Sequence, residues 1–174
     1  MHDKVFRGFL NQQLAQGMKL SEESDLLDLL PLAANSDPPD RYLAKFYCKG
    51  IVRSEGGEIV EASEFHVGIW FPSDYLRHVR PFETLTWLHP FNAWHPNVLP
   101  PAICVGKIPA GTELVDLLYQ AFEIITYNTW ASHDALNREA AQWARNNQHR
   151  FPIDRRPLKR RTLQLTVQDE VKIS

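Results

Sequence analysis

The chain has 174 residues, a length that suits one domain with a substantial core. Its hydrophobic fraction of 44% and charged fraction of 23% are typical of a globular protein, and no apolar run is long enough for a membrane span. A net charge of −2 gives no overall basis for nucleic-acid binding, and two cysteines are too few for a disulfide scaffold. The amino terminus lacks the pattern of a secretory signal. We therefore expect a cytoplasmic protein with neither a membrane nor a nucleic acid as partner.

The first predicted element is an amphipathic helix. Apolar residues recur at helical spacing, and the helix should end at about Gln16, before Gly17; the apolar positions are Val5, Phe6, Phe9, Leu10 and Leu14. Residues 21–31 carry serines and glutamates followed by leucines, which could form a short helix or an apolar connector. Residues 35–40, with two prolines, break the pattern.

From Arg41 the period of the apolar residues changes to two, which predicts strands. The first strand covers residues 41–49 and directs Cys48 into the core. The sequence Glu-Gly-Gly-Glu at 55–58 predicts a hairpin turn, and further strands are expected at 65–71 and 82–88. Strands joined by short connections form an antiparallel meander.

Residues 87–104 combine prolines, tryptophans, histidines, Asn97 and Cys104. Because proline removes backbone donors, this segment is predicted to be an ordered loop rather than a helix or strand. Ordered loops on a rigid scaffold often carry functional residues. The loop therefore raises the question of whether Cys104 is a nucleophile or a buried, inert thiol.

Helices are predicted after the loop. The first has a clear apolar stripe formed by Leu114, Leu117, Leu118, Ala121, Phe122 and Ile125. The second should run from about Asp134 to Asn147, with Ser132 or Asp134 as its cap. The order of elements predicts an α+β domain over residues 1–154, and a basic extension over 155–174 whose end could be a strand or an ordered arm.

Several motifs follow one another in a fixed order. Residues 65–72, Phe-His-Val-Gly-Ile-Trp-Phe-Pro, are followed by Tyr75, Arg80-Pro81-Phe82, and then His95-Pro96-Asn97 with a cysteine seven residues beyond the asparagine. After them come residues 134–141, Asp-Ala-Leu-Asn-Arg-Glu-Ala-Ala, and then Asn146, Asn147 and Phe151. From about Arg41 to Phe151 the chain resembles the ubiquitin-conjugating enzymes. The resemblance implies a UBC-like fold.

The chain departs from the family pattern near the cysteine. The family usually has eight residues from the asparagine to the cysteine, a glycine before the Ile-Cys pair and a tryptophan shortly after it. Here Pro100-Pro101-Ala102 lies in a shorter link, residues 106–109 contain no tryptophan, and 155–174 match nothing in the family. These departures indicate a divergent, bacterial member, and we expect a setting that resembles anti-phage conjugation systems.

The resemblance implies a function for each matching residue. Cys104 would accept a ubiquitin-like modifier from an activating enzyme as a thioester and pass it to an amine of a target protein. Asn97 would donate to the oxyanion, and Asp134 would assist the incoming lysine, unless it only caps a helix. His95 and Pro96 would brace the loop. No metal or organic cofactor is implied, since ATP is consumed upstream.

Three alternatives stay open at this point. A UBC-like module that has lost transfer activity could still bind a ubiquitin-like protein. A cysteine hydrolase would need His89, His95 or His133 as a base beside Cys104. A zinc site formed by His89, His95 and Cys104 is a weak hypothesis, because no Cys-x-x-Cys pair or fourth ligand accompanies them.

Overall fold

The structure, a computed structural model, describes residues 3–32 and 36–160. Its elements in chain order are α1 Lys4–Glu22, β1 Leu27–Leu32, β2 Arg41–Phe46, β3 Gly50–Arg53, β4 Ile59–Ala62, β5 Phe65–Trp70, α2 Pro81–Thr84, β6 Leu85–His89, β7 Val98–Leu99, β8 Ala102–Ile103, α3 Leu114–Ile125, α4 Arg138–Asn146 and a 3₁₀ turn, Gln148–Arg150. The predicted α+β class, with an amino-terminal helix and an antiparallel sheet, is confirmed. In the part of the chain that is described, no helix has both the length and the apolar character to cross a bilayer.

The central sheet has four strands in the order β1-β2-β5-β6, and every neighbouring pair is antiparallel. The hairpin of β3 and β4 lies between β2 and β5 in the chain and forms a separate two-stranded sheet. The predicted turn at residues 55–58 closes this hairpin, with Gly57 at a φ of 85° that suits glycine. The turn therefore joins β3 to β4. The longer strands β2 and β5, which flank this hairpin in the chain, pair directly with each other.

The predicted short helix or connector at residues 21–31 is wrong. α1 continues to Glu22, and the leucines that follow belong to β1, which forms one edge of the sheet. Leu27 and Leu29 are buried while Asp28 is exposed, as the period of a strand requires. The exposed Leu30 and Leu32 hide this alternation in the sequence.

The predicted strand at residues 82–88 begins later than expected. Its first residues belong to the single helical turn α2, which has a proline at its first position, where the missing N–H is not needed. The Arg80 guanidinium bonds to Glu83 at 2.6 Å and to Asp74 at 3.0 Å, and these contacts hold the turn together. The strand itself, β6, starts at Leu85.

The last predicted helix also begins later. α4 starts at Arg138, and the side-chain oxygen of Asn137 accepts the Ala140 N–H at 3.0 Å. Asn137 is therefore the cap, rather than Ser132 or Asp134. Asp134 lies in the preceding loop at a φ of 53°.

Gly17 allows α1 to pack closely, and the expected helix end at Gln16 is wrong. A Cβ at Gly17 would lie 2.7 Å from the Leu114 Cδ2 and 2.9 Å from the Leu29 Cδ2, so α1 approaches β1 and α3 at this point. The buried Gln13 reinforces the contact, because its side-chain oxygen accepts the Leu114 N–H at 2.7 Å and satisfies a donor in the first turn of α3.

The main core lies between the sheet, α1 and α3. Leu158, in the carboxy-terminal extension, is 1% exposed and belongs to this core. The buried Ser24 hydroxyl donates to the Leu158 carbonyl. Residues 155–160 therefore pack against the end of α1, whereas the predicted strand or arm at 161–173 lies outside the described residues.

Alanine should have different effects at two glycines of α1. An added Cβ at the exposed Gly8 meets nothing within 4 Å, so Gly8→Ala should raise the free energy of unfolding by about 0.5–1 kcal/mol through helix propensity. Gly17→Ala has the same propensity gain but displaces two buried leucine side chains, which typically costs about 1–3 kcal/mol. Urea denaturation should find Gly17→Ala the less stable variant. Equal stabilisation by both would contradict close packing at Gly17.

Candidate functional site

The predicted loop ends in a short hairpin that sets Asn97 beside Cys104. β7 and β8 pair in antiparallel register around the Pro100-Pro101 turn. The pairing continues one residue further, because the Cys104 N–H donates to the Asn97 carbonyl at 2.8 Å. The Asn97 side-chain amide donates in turn to the Cys104 carbonyl at 2.9 Å. The shortened link therefore holds the asparagine and the cysteine side by side through two hydrogen bonds.

The hairpin is attached to the central sheet. The Trp87 N–H, in β6, donates to the Pro101 carbonyl at 2.8 Å, and the Trp87 side chain is buried. Val98 and Ile103, one from each strand of the hairpin, are fully buried in the main core. Cys104 thus follows directly after a residue whose position is fixed by packing.

The β3–β4 hairpin positions the chain that enters the site. The Arg53 N–H donates to the Asn92 carbonyl at 2.9 Å, and the Asn92 side-chain amide returns a hydrogen bond to the Arg53 carbonyl at 3.0 Å. The Trp94 N–H donates to the Ile51 carbonyl at 2.9 Å. Strand β3 therefore holds the residues that lead directly into the His-Pro-Asn motif.

The same motif anchors the loop that contains Asp134. The Ala131 N–H donates to the side-chain oxygen of Asn97 at 2.8 Å, and the Asn137 N–H donates to the Pro96 carbonyl at 3.1 Å. These two bonds lie on either side of Asp134 in the chain. The loop that contains the third predicted catalytic residue is thus connected to Asn97 and Pro96, although among the described residues the Asp134 side chain forms no hydrogen bond with either.

His95 is buried and uncharged, and it holds the backbone of Asn97 through a hydrogen bond. It is 3% exposed, and its Nδ1 accepts the Asn97 N–H at 2.9 Å. Its ring lies 4.2 Å from the Tyr127 ring, centroid to centroid. Burial lowers the pKa of His95 to about 3, an effect that the backbone groups of Thr129 and Ile124 offset only in part. The imidazole therefore stays uncharged at neutral pH and acts as a hydrogen-bond acceptor.

Sequence reasoning missed Tyr127, which packs against the His-Pro-Asn motif. Its ring packs against His95 and stacks on Phe151 at 4.4 Å, and its hydroxyl donates to the Trp94 carbonyl. Trp143 contacts it edge-on at 5.7 Å. These residues form a small second core beneath the site. In the sequence, only the many aromatic residues between 127 and 151 indicate a second core. No local pattern shows which residues contact Tyr127.

The two cysteines have different environments. Cys48 is fully buried, and burial, with a smaller effect of the Asp154 carboxylate, raises the pKa of its thiol to about 12. This confirms the prediction that Cys48 faces the core. Cys104 is partly exposed, and both thiols are free. A reaction at neutral pH therefore has Cys104 as its accessible thiol.

Two other chemistries considered for the loop lack their geometry. Among the described residues, no hydrogen bond links Cys104 to His89, His95 or His133. His89 instead packs on the His66 ring at 4.9 Å on the sheet. Nor does any group of three or more His, Cys, Asp or Glu side chains in that part of the chain have an arrangement suited to a metal ion. The arrangement therefore favours neither a cysteine hydrolase nor a zinc site.

Acid should destabilise the protein through His95. Its pKa is about 3 in the folded chain and 6.5 in the unfolded chain, so below pH 6.5 the unfolded chain binds a proton that the folded chain does not. The free energy of unfolding should fall between pH 6.5 and about 3, by at most about 1.4 kcal/mol per pH unit from this residue. His95→Asn keeps an oxygen acceptor for the Asn97 N–H and should flatten this slope in urea denaturation.

The matched control is His149→Asn, which replaces an exposed histidine and should keep the wild-type slope. Equal slopes for His95→Asn and the wild type would show that the imidazole is not held neutral by the fold. Other acid-titrating groups contribute equally to all three proteins, so the difference between variants isolates His95.

The structure brings four of the five predicted site residues into direct contact: His95, Pro96, Asn97 and Cys104 form one hydrogen-bonded and covalent unit. Asp134 lies in a loop tied to that unit. A comparison with models of known protein families finds no match to the chain, and a search of curated proteins finds none that is similar to it.

Proposed function

We propose that this protein is a ubiquitin-conjugating-like enzyme, which carries a ubiquitin-like modifier as a thioester on Cys104 and transfers it to an amine of a target protein. The observation that carries the proposal is the pairing of Asn97 with Cys104, in which the Asn97 side-chain amide bonds to the backbone carbonyl of a partly exposed cysteine. The antiparallel sheet with helices before and after it is consistent with a UBC-like fold.

In the first step the Cys104 thiolate attacks the carbonyl carbon of the thioester that joins the modifier to its activating enzyme. A new carbon–sulfur bond forms, the old one breaks, and the thiolate of the activating enzyme leaves. ATP is consumed earlier, when the modifier is activated. The step on this chain therefore requires no metal or organic cofactor, and free thiols suit a reducing compartment such as the cytoplasm.

In the second step a lysine amine of the target attacks the same carbonyl carbon. The carbon–nitrogen bond forms, the carbon–sulfur bond breaks, the Cys104 thiolate leaves and the amine proton passes to solvent. The Asn97 amide has two N–H groups, of which one donates to the Cys104 carbonyl at rest. The second is the donor we assign to the oxyanion that forms during attack.

Asp134 is the residue we assign to the incoming lysine. Its alternative role, as a helix cap, is taken by Asn137. Asp134 is exposed, and its backbone lies in the left-handed region, which aspartate adopts more readily than most residues other than glycine. A carboxylate in a loop tied to Asn97 can orient a lysine ammonium and assist the loss of its proton.

The partners in this proposal are an activating enzyme, a ubiquitin-like modifier and a target protein with an acceptor amine. The sequence resemblance and its departures around Pro100-Pro101-Ala102 support a bacterial conjugation system of the anti-phage type as the setting. His95 and Pro96 hold the loop and take no part in proton transfer, since the His95 pKa is far below neutral.

Incubation with ATP and with the activating enzyme and modifier from the same genome should give a covalent adduct. A reducing agent should cleave it, because a thioester exchanges with thiols. Cys104→Ala should abolish the adduct, whereas Cys48→Ala, the matched control, should keep it. Non-reducing electrophoresis and mass spectrometry measure both.

An adduct on Cys48, or one that resists the reducing agent, would contradict the proposal. Binding of the modifier without any adduct would instead identify a non-catalytic module. Hydrolysis of the modifier without an acceptor amine would favour a hydrolase.

A further inference from the structure

The hairpin of β3 and β4 has one strand edge that is paired and one that is not. The outer edge of β3 bonds to the chain that enters the His-Pro-Asn motif, through the Arg53 N–H and the Ile51 carbonyl. These groups point away from β4, so their cross-strand partners, Ile59 and Glu61, direct their own N–H and C=O groups away from β3. In the part of the chain that the structure describes, these two donors and two acceptors on the outer edge of β4 form no hydrogen bond.

The domain holds this edge in a fixed position. Ile51 is 3% exposed in the second core, and Ile59 packs against the same core. At the base of the hairpin, a Cβ added to Gly50 would lie 2.5 Å from the Phe65 ring, so the backbone there packs directly on β5. Because the hairpin is already packed, a segment that pairs with β4 does not have to order it first.

The side chains along this edge are mostly acidic. Four exposed glutamates recur at every third position: Glu55, Glu58, Glu61 and Glu64. Glu64 bonds to His66 at 2.8 Å, whereas the other three form no ion pair with any residue in 3–32 or 36–160. Arg53 is the only basic residue of the hairpin, and it pairs with Glu139 at 3.4 Å. The excess of negative charge on this edge therefore favours a basic partner.

The alternation of side chains along β4 defines that partner further. Val60 is 38% exposed, and its side chain points to the face opposite that of Ile59 and Glu61. Apolar pairs and pairs of opposite charge are favourable across neighbouring strands. A strand that fits β4 therefore has an apolar residue opposite Val60 and a basic one opposite Glu61.

We propose that the outer edge of β4 binds an extended segment of a partner protein in which basic residues alternate with apolar ones. The segment adds a third strand to the hairpin, with backbone hydrogen bonds to Ile59 and Glu61 and with its basic side chains beside the glutamates. This binding leaves Cys104 free and does not depend on the transfer chemistry proposed above.

The probe is a synthetic peptide, Lys-Val-Lys-Val-Lys-Val, blocked at both ends and titrated into the isotope-labelled chain at physiological ionic strength. The NMR signals of residues 58–62 should shift. At saturation, hydrogen exchange should slow at the Ile59 and Glu61 N–H groups, because these gain hydrogen bonds. The N–H groups of Val60 and Ala62 point towards β3 and are the internal reference, since their exchange should change less.

Two matched peptides separate strand pairing from attraction by charge alone. Glu-Val-Glu-Val-Glu-Val keeps the strand pattern and reverses the charge. Lys-Pro-Lys-Pro-Lys-Pro keeps the charge but lacks every second N–H. Neither should slow exchange at Ile59 and Glu61. Equal binding of the proline peptide would show that charge alone attracts the probe and would overturn the inference.

Variants of the chain test the same contact from the other side. Glu61→Gln should weaken binding of the Lys-Val peptide about two- to fivefold, and Glu61→Lys about tenfold. Asp116→Lys makes the same change of charge at an exposed carboxylate of α3, outside the hairpin, and should keep the wild-type affinity. An unchanged affinity in Glu61→Lys, or signal shifts confined to residues outside the hairpin, would contradict binding at β4.

Discussion

Two hydrogen bonds between Asn97 and Cys104 are the constraint on which the rest of the site depends. They exist because a hairpin of two-residue strands turns the chain back at Pro100-Pro101, so that the residues at its base face each other. The hairpin is in turn held by the sheet through Trp87 and by its own buried side chains. The backbone position of Cys104 is therefore fixed by packing in the core of the domain.

Two uncharged side chains, His95 and Tyr127, support the pairing of Asn97 with Cys104. His95 accepts a hydrogen bond from the backbone of Asn97, and burial keeps its pKa low enough for that acceptor to persist at neutral pH. Tyr127 fills the space beneath it and bonds to the preceding carbonyl of Trp94. The histidine, which looks like a catalytic base in the sequence, is thereby a structural acceptor. Asp134, which can bear a charge, lies in the loop that Asn97 anchors through the Ala131 N–H.

Local patterns predicted the elements that have one buried face and one exposed face, such as β2, β5 and α3. They failed at β1, because the exposed Leu30 makes a half-buried strand look like an apolar run. The start of α4 was also misplaced, since Asp134 and Asn137 are both suitable caps by composition and only the fold selects between them. The contacts of Tyr127 with His95 and Phe151 join distant parts of the chain, so no spacing rule could have indicated them.

The proposal that Cys104 carries an acyl group is tested most directly by purifying the Cys104→Ser variant from its native cells and mapping any adduct by mass spectrometry. A serine at this position would form an ester, which is more stable than a thioester and is not released by thiols. We expect a protein joined through its carboxy-terminal carboxyl to position 104 of the Cys104→Ser variant, and no such adduct in Cys104→Ala. An adduct joined elsewhere in the chain would contradict the proposal. So would the absence of any acyl group at position 104 in both the Cys104→Ser variant and the wild type.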